Sequence, residues 1–117
     1  MPPRESMGSV AAMLLPIDKL KKPSPRGVPF EREIHEFLST NLNGYTVASG
    51  NISGYWKDNH GHEIYGEHRE YRVALPPSQT ARQTLEIFLG TLAHEMGEAC
   101  IYLECGGEAF LIYASHQ

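Results

Sequence analysis

The chain has 117 residues, 41% hydrophobic and 21% charged, which is the composition of one ordinary globular domain. A chain of this length buries enough apolar surface to fold without a structural metal or disulfide bonds. The net charge of −4 argues against nucleic acid as the main partner, and no apolar run approaches the roughly 20 residues that cross a membrane.

Basic residues are concentrated near the start of the chain. Residues 1–32 carry six basic and three acidic side chains, whereas residues 33–117 carry four basic and eleven acidic ones. The basic loop at 18–27 contains Pro23 and Pro25 and is predicted to be irregular. It is either a solvated loop or a segment that contacts its own body, a second subunit or an anionic ligand.

The first part of the chain predicts a strand and a helix. Residues 1–8 are predicted to be a frayed terminus, and the apolar run 10–15 a strand that ends at Pro16. Pro29 suits the first helical position, and Asn43-Gly44 predicts a left-handed end to the helix. Between them, apolar residues recur at helical spacing: Phe30, Ile34, Phe37, Leu38 and Leu42.

The second part predicts a hairpin, a helix and two more strands. A short strand at 45–48 is followed by a loop-like piece at 49–54 that is rich in Gly, Ser and Asn, by a turn at 57–61 and by a second strand that ends at Leu75. The hairpin from Gly54 to Tyr71 is predicted to project from the sheet and to form the site or the subunit contact. The second helix, capped by Ser78 or Thr80 and stopped by Gly97, has a predicted apolar stripe of Leu85, Phe88, Leu89, Leu92 and Met96. Strands at 100–105 and 108–113 flank a Gly106-Gly107 turn.

The predicted order β-α-β-β-α-β-β indicates an α+β, ferredoxin-like sandwich with an extra C-terminal strand. Both helices would cover one face of an antiparallel sheet. The bare opposite face would be buried by a second copy of the chain, in a dimer or trimer.

Cysteine usage predicts a cytoplasmic protein with free thiols. Cys100 and Cys105 lie five residues apart in one predicted strand, which separates their Cα atoms by about 16 Å. A disulfide needs less than about 7 Å, so both are expected to be buried free thiols in a reducing compartment.

Histidines in the hairpin are the candidate metal ligands. His60 and His62 lie close enough to chelate one divalent ion such as zinc, nickel or copper, with Asp58 as a third ligand. His68 is about 20 Å from His62 along one strand and joins them only if chains pair. The alternative is a polar tip that happens to be rich in histidine. His35 and His94 are expected to be solvated, because the helical wheel places them off the apolar stripes.

Aromatic and polar residues of the hairpin are the candidate ligand contacts. Trp56, the only tryptophan, either stacks on a ligand ring or closes one end of the core. Gly54 indicates a bulge or a close approach of the backbone. The residues predicted to bind a ligand are Tyr55, Trp56, Asp58, Tyr71 and Arg72.

An enzyme is the rival interpretation. His62 or Glu63 would act as a general base in a cavity between sheet and helices, in a small enzyme of the dimeric α/β-barrel type. The sequence contains no nucleophile motif, no phosphate-binding glycine loop and no recognisable cofactor motif.

Three segments carry a resemblance to known proteins. Residues 44–47 (GYTV), 54–61 (GYWKDNHG) and 71–76 (YRVALP) resemble small uncharacterised bacterial proteins. In element order the chain is also similar to the PII-like signalling and divalent-ion-tolerance proteins, which are ferredoxin-like trimers with ligand sites between subunits. The resemblance implies a homo-oligomeric module that binds a small molecule or serves in regulation.

Overall fold

The computed structural model describes residues 1–115, so His116 lies outside the described part of the chain. Within these residues the protein is an α+β fold of two helices and six strands. Its elements in chain order are β1 (Ser9–Pro16), α1 (Phe30–Asn41), β2 (Gly44–Val47), β3 (Ile52–Lys57), β4 (Glu63–Leu75), α2 (Gln79–Met96), β5 (Cys100–Cys105) and β6 (Glu108–Tyr113).

The six strands form one open sheet in which every neighbouring pair is antiparallel. Its order is β2-β4-β1-β5-β6, and β3 pairs with the first half of β4, beyond the part that β2 covers. The α+β class and the antiparallel sheet are therefore confirmed.

The core lies on one side of this sheet. Alternate residues of β1, β4 and β5 are buried together with the apolar stripes of both helices. Phe37 of α1 stacks on Phe88 of α2 at 3.8 Å between ring centroids. Both helices therefore cover the same side, and the other side is called the reverse face below.

Sequence patterns located the second helix and the last turn well. The Ser78 side chain accepts a hydrogen bond from the Ala81 backbone N–H, and Gly97 ends α2 in a left-handed conformation. Gly106 and Gly107 both have positive φ, as a two-residue turn between strands requires. Cys100 and Cys105 are free and buried, as predicted.

The prediction of one strand between α1 and the hairpin turn was wrong. Residues 49–54 looked like a loop because they are rich in Gly, Ser and Asn, but β3 begins at Ile52. The first half of β4 extends past the end of β1, since Pro16 pairs with His68. On the edge of β4 opposite β1, β2 pairs only with residues 71–74, and β3 continues that edge along residues 63–68 by satisfying their backbone groups.

The predicted left-handed end of α1 was also wrong. Leu42 is extended and its N–H donates to the Leu38 carbonyl, so the chain enters β2 directly at Gly44. Pro29 is the N-cap rather than the first helical residue, and it offers no side-chain cap. Carbonyls of Leu20 and Lys22 accept the N–H groups of Glu31 and Phe30 instead.

The basic loop is fastened to the protein's own body. Leu20 is 2% exposed and belongs to the core. The Arg26 guanidinium forms ion pairs with Glu33 of α1 and Glu95 of α2. The basic charge of the loop predicted either solvation or contact with its own body, a second subunit or an anionic ligand. For Arg26 the structure shows contact with the protein's own body.

Candidate functional site

The β3–β4 hairpin leans back over the reverse face of the sheet. Trp56 in β3 stacks on Tyr102 of β5, with ring centroids 5.0 Å apart and planes at 16°. Tyr102 pairs with Leu14 of β1, which separates it from β4 by one intervening strand. The hairpin was predicted to project from the sheet, and instead its Trp56 ring packs against it.

Two glycines make room for this arrangement. Gly54 and Gly66 face each other in the hairpin register. A Cβ on Gly54 would lie 2.4 Å from Cη2 of Trp56, and one on Gly66 would lie 3.3 Å from Cε1 of His68. Because neither glycine has a side chain, the rings of Trp56 and His68 can pack directly against the backbone at these two positions.

Trp56, Tyr102 and His68 form what we call the aromatic cluster. The His68 ring meets Trp56 edge-on at 5.0 Å and 70°. The Tyr102 hydroxyl donates to a Glu104 carboxylate oxygen at 3.1 Å. Desolvation, and then this hydrogen bond, raise the pKa of Tyr102, so its phenol stays protonated near neutral pH.

His68 carries an unsatisfied nitrogen. Its side chain is among the few polar ones in the interior, with 7% of the residue exposed. Nδ1 is buried and has no hydrogen-bond partner among the described residues. Leaving a buried polar atom unpaired costs about 1–3 kcal/mol, so such an atom in a native fold calls for an explanation.

Two clefts flank the aromatic cluster. The first, of about 300 Å³, is lined by Tyr55, Trp56 and Lys57 on one side and by Tyr102 and residues 109–111 on the other. The second, of about 440 Å³, lies between the end of β1, the start of β4 and residues 98–100, and His68 lines it. Both have volumes typical of small-molecule sites.

The second cleft is acidic. Asp18, Glu67 and Glu98 line it, and no Lys or Arg in residues 1–115 does. Lys19 is close by, but its Nζ donates to the Met96 carbonyl at 2.6 Å and lies 3.7 Å from Glu98. Desolvation raises the pKa of the Cys100 thiol, and the charges of Glu98 and Asp58 raise it further.

Larger depressions elsewhere are lined by charged groups that already have partners. One of about 510 Å³ lies at the start of α2, where Arg82 pairs with Glu86 at 3.0 Å. Another of about 460 Å³ lies in the groove between the helices, where Arg26 holds Glu33 and Glu95. Neither contains a buried, unpartnered side chain of the kind His68 offers.

Asp58 organises the hairpin turn. Its Oδ1 accepts the backbone N–H groups of His60 and His62 at 2.8 and 2.9 Å, and its Oδ2 is 3.0 Å from His62 Nδ1. Desolvation opposes ionisation, but these hydrogen bonds outweigh it and lower the pKa of Asp58. The Asp58 carboxylate therefore stabilises the conformation of the turn.

The predicted metal ligands are not assembled into a site of three or more. The His60 and His62 rings are 6.2 Å apart, whereas His68 packs against Trp56. Within residues 1–115 no group of three or more His, Cys, Asp or Glu side chains has an arrangement that could hold a metal ion. A two-histidine site at the exposed tip stays a prediction.

The other predicted site residues are dispersed. Tyr71 is 4% exposed and lies in the core, where it stacks on Tyr45, because its position in β4 faces the helices. Arg72 is exposed on the reverse face, where it pairs with Ala12. His62 and Glu63 are exposed at the hairpin, not between sheet and helices as the enzyme hypothesis requires. Of the predicted ligand contacts, Trp56 and Tyr55 line the cleft of about 300 Å³.

Sequence reasoning missed Tyr102, Glu98 and Cys100. The alternation of β5 does assign Tyr102 to the face opposite Ile101 and Leu103, which was the available signal. What no local pattern indicates is that a hairpin from another part of the chain lies over it.

Comparison with known proteins finds a likeness in fold alone. No family model matches the chain, and no curated protein matches its sequence. Among solved structures it is similar to a phage SAM lyase in complex with S-methyl-5'-thioadenosine, with a TM-score of 0.55 and 11% identity. The match covers 97% of this chain and 95% of that one.

No helix in the described residues is both long and apolar enough to span a bilayer.

Proposed function

We propose that the chain is a ferredoxin-like, homo-oligomeric module that binds a small molecule with a planar ring at the aromatic cluster. The observation that carries this proposal is the stack of Trp56 on Tyr102, with the unsatisfied His68 beside it and a cleft on either side. Flat π-faces next to a cleft bind aromatic heterocycles by stacking, which contributes about 1–3 kcal/mol per ring.

The ferredoxin-like assignment is supported by the strand order. Strands β1 and β4 are central and antiparallel, with β2 and β3 on one side and β5 on the other. Each helix connects strands that are not neighbours. This order is also consistent with the likeness to the bacterial PII-like proteins, and two free buried cysteines fit a cytoplasmic protein.

The ligand proposed for the site is a 5'-thioadenosine compound. The fold match is to a protein bound to S-methyl-5'-thioadenosine, which contains a purine ring. A purine is a planar heterocycle of the kind that an aromatic cluster accepts, and its exocyclic and ring nitrogens suit the imidazole of His68.

Tryptophan fluorescence tests the binding directly, because Trp56 is the sole tryptophan. Titration with S-methyl-5'-thioadenosine is expected to quench it saturably, with a matching heat in calorimetry. Tyr102→Ala should weaken binding about tenfold or more through the lost stacking. The matched control is Tyr45→Ala, a tyrosine that stacks on Tyr71 away from the cluster. A flat titration with the wild-type protein would refute the proposal.

A second candidate function is cleavage of S-adenosylmethionine, and the observation that favours it is the fold match to a SAM lyase. Release of S-methyl-5'-thioadenosine requires that the bond between sulfur and the methionine γ-carbon break, with its electron pair passing to sulfur. The new bond to that carbon is formed by the substrate's own carboxylate, which gives a lactone, or by water, which gives the hydroxy acid and releases a proton. Incubation with S-adenosylmethionine and chromatography of the products tests it. Formation of the thioether no faster than in buffer would leave the binding module as the function.

A further inference from the structure

The geometry points to a charge filter next to the aromatic cluster: the acidic cleft beside His68 receives a positively charged group of the ligand, and His68 Nδ1 hydrogen-bonds to the same ligand. This inference rests on the proposed function, because it concerns the part of the ligand that extends beyond the stacked ring. It assigns the ligand to a chemical class, namely an organic cation with an attached heterocycle.

The carboxylates of the cleft are one support. Asp18 lies just after β1 and Glu98 follows α2, so two separate segments bring negative charge to the cleft. Glu67 of β4 also lines it, but its carboxylate already accepts the Ser53 hydroxyl at 3.2 Å. Because Lys19 is engaged with Met96 and Glu98, it does not balance them fully. Opposite charges at short range attract each other, so these carboxylates favour a bound cation.

The unpaired nitrogen of His68 is an independent support. His68 lines the acidic cleft and its ring meets Trp56 edge-on, while its Nδ1 is buried and has no partner among the described protein groups. A ligand that spans both places and displaces the side chains covering Nδ1 would supply the missing hydrogen bond and recover the free energy that the unpaired nitrogen costs.

The thiol of Cys100 is consistent with a negative field in the cleft. It lines the same cleft. Desolvation raises the pKa of this thiol, and the carboxylates of Glu98 and Asp58 raise it further, so the thiol stays protonated. A neutral thiol adds no negative charge of its own and leaves an apolar wall beside the carboxylates.

Two ligands that differ by one methyl group and one charge test the filter. S-adenosylmethionine carries a sulfonium, whereas S-adenosylhomocysteine has the same ring and amino-acid tail with a neutral sulfur. Dissociation constants are measured by Trp56 quenching and calorimetry at low salt and 4 °C, with chromatography to verify that the ligand is intact. The sulfonium is expected to bind about tenfold more tightly.

Variants then locate the charge preference. In the double variant Asp18→Asn with Glu98→Gln, the ratio of the two constants is expected to fall close to one. The control is Glu36→Gln, a carboxylate on the exposed side of α1, which should keep the wild-type ratio. Circular dichroism verifies that each variant is folded.

His68→Phe tests the hydrogen bond separately, because phenylalanine keeps a flat ring and removes both nitrogens. Both ligands should bind several-fold more weakly, while the ligand-free protein gains thermal stability from losing an unpaired polar atom. Unchanged affinity would overturn the part assigned to His68.

The outcomes separate the two proposals. If neither ligand binds and S-methyl-5'-thioadenosine does not bind either, the proposed function itself is wrong. If S-methyl-5'-thioadenosine binds but neither of the two longer ligands does, the ring site stands and the charge filter is refuted. If both bind with equal affinity, or the neutral one binds better, the ring site stands and the charge filter is refuted.

Discussion

Single residues determine which side chains can pack on the reverse face of the sheet. The Gly54–Gly66 pair has no side chains at the place where the rings of Trp56 and His68 pack against the backbone. The sequence drew attention to Trp56 as the only tryptophan and to Gly54 as a close approach, but as separate observations. Their connection is steric, and it exists only once the hairpin is paired.

Gly54→Ala tests that connection. The added methyl would lie 2.4 Å from Trp56 Cη2, so the indole must leave its place on Tyr102. We expect a loss of about 1–3 kcal/mol in the free energy of unfolding and a red-shifted tryptophan emission. The matched control is Gly50→Ala, where a Cβ meets nothing within 4 Å. An unshifted spectrum for Gly54→Ala would contradict the steric argument.

At the scale of elements, the sequence predicts a helix end correctly where the hydrogen bonds of that end are made within the same few residues. Ser78 caps α2 and Gly97 ends it by interactions within a few residues, and both were predicted. The start of α1 is different, because carbonyls of the 18–27 loop accept its first N–H groups. That loop was predicted to be irregular from its prolines, yet it is anchored by Leu20 and Arg26.

Arg26→Ala should loosen this loop in a pH-dependent way. The hydrogen bond from Arg26 lowers the pKa of Glu33, although desolvation opposes it. A carboxylate with a lowered pKa stabilises the fold above its unfolded pKa of about 4.3, and this contribution is lost as the pH falls through the folded value.

We therefore expect Arg26→Ala to cost about 1 kcal/mol at pH 7 and much less near pH 3, as measured by urea unfolding. The figure is small because half of the Arg26 side chain is exposed. Arg32→Ala breaks an exposed helical pair with Glu36 and serves as the control, with a loss of about 0.3 kcal/mol. An Arg26→Ala effect that is equal at both pH values would rule out the Glu33 linkage.

At the scale of the whole molecule, the helices leave one side of the sheet uncovered. The hairpin shields only the part near Tyr102. Val10, 58% exposed, lies on the uncovered part next to Ala74 of β4. An exposed apolar sheet surface of this kind is typical of an interface between copies, which is the basis of the homo-oligomer proposed above.

Light scattering tests the assembly. The particle is expected to have a mass that is a multiple of 13.1 kDa at tens of micromolar. Val10→Lys should reduce it to a single chain, because a buried lysine without a partner is unfavourable in an interface. Ile87→Lys, on the 54% exposed outer side of α2, should leave the assembly intact. A wild-type monomer would contradict the prediction.

The sequence by itself determined the α+β class, the two helices with their apolar stripes, the last turn and the free state of both cysteines. These depend on periodicity, capping and turn geometry, which act over a few residues. It also marked Trp56 and His68, although His68 was marked as a metal ligand. Only the tertiary structure decided that β3 exists, that the hairpin leans over the sheet and that Trp56, Tyr102 and His68 meet. The reason is that Tyr102 lies more than 30 positions from both Trp56 and His68, and that β3 forms only against a β4 already in place. The energy of these contacts comes from burial and stacking that no local pattern encodes.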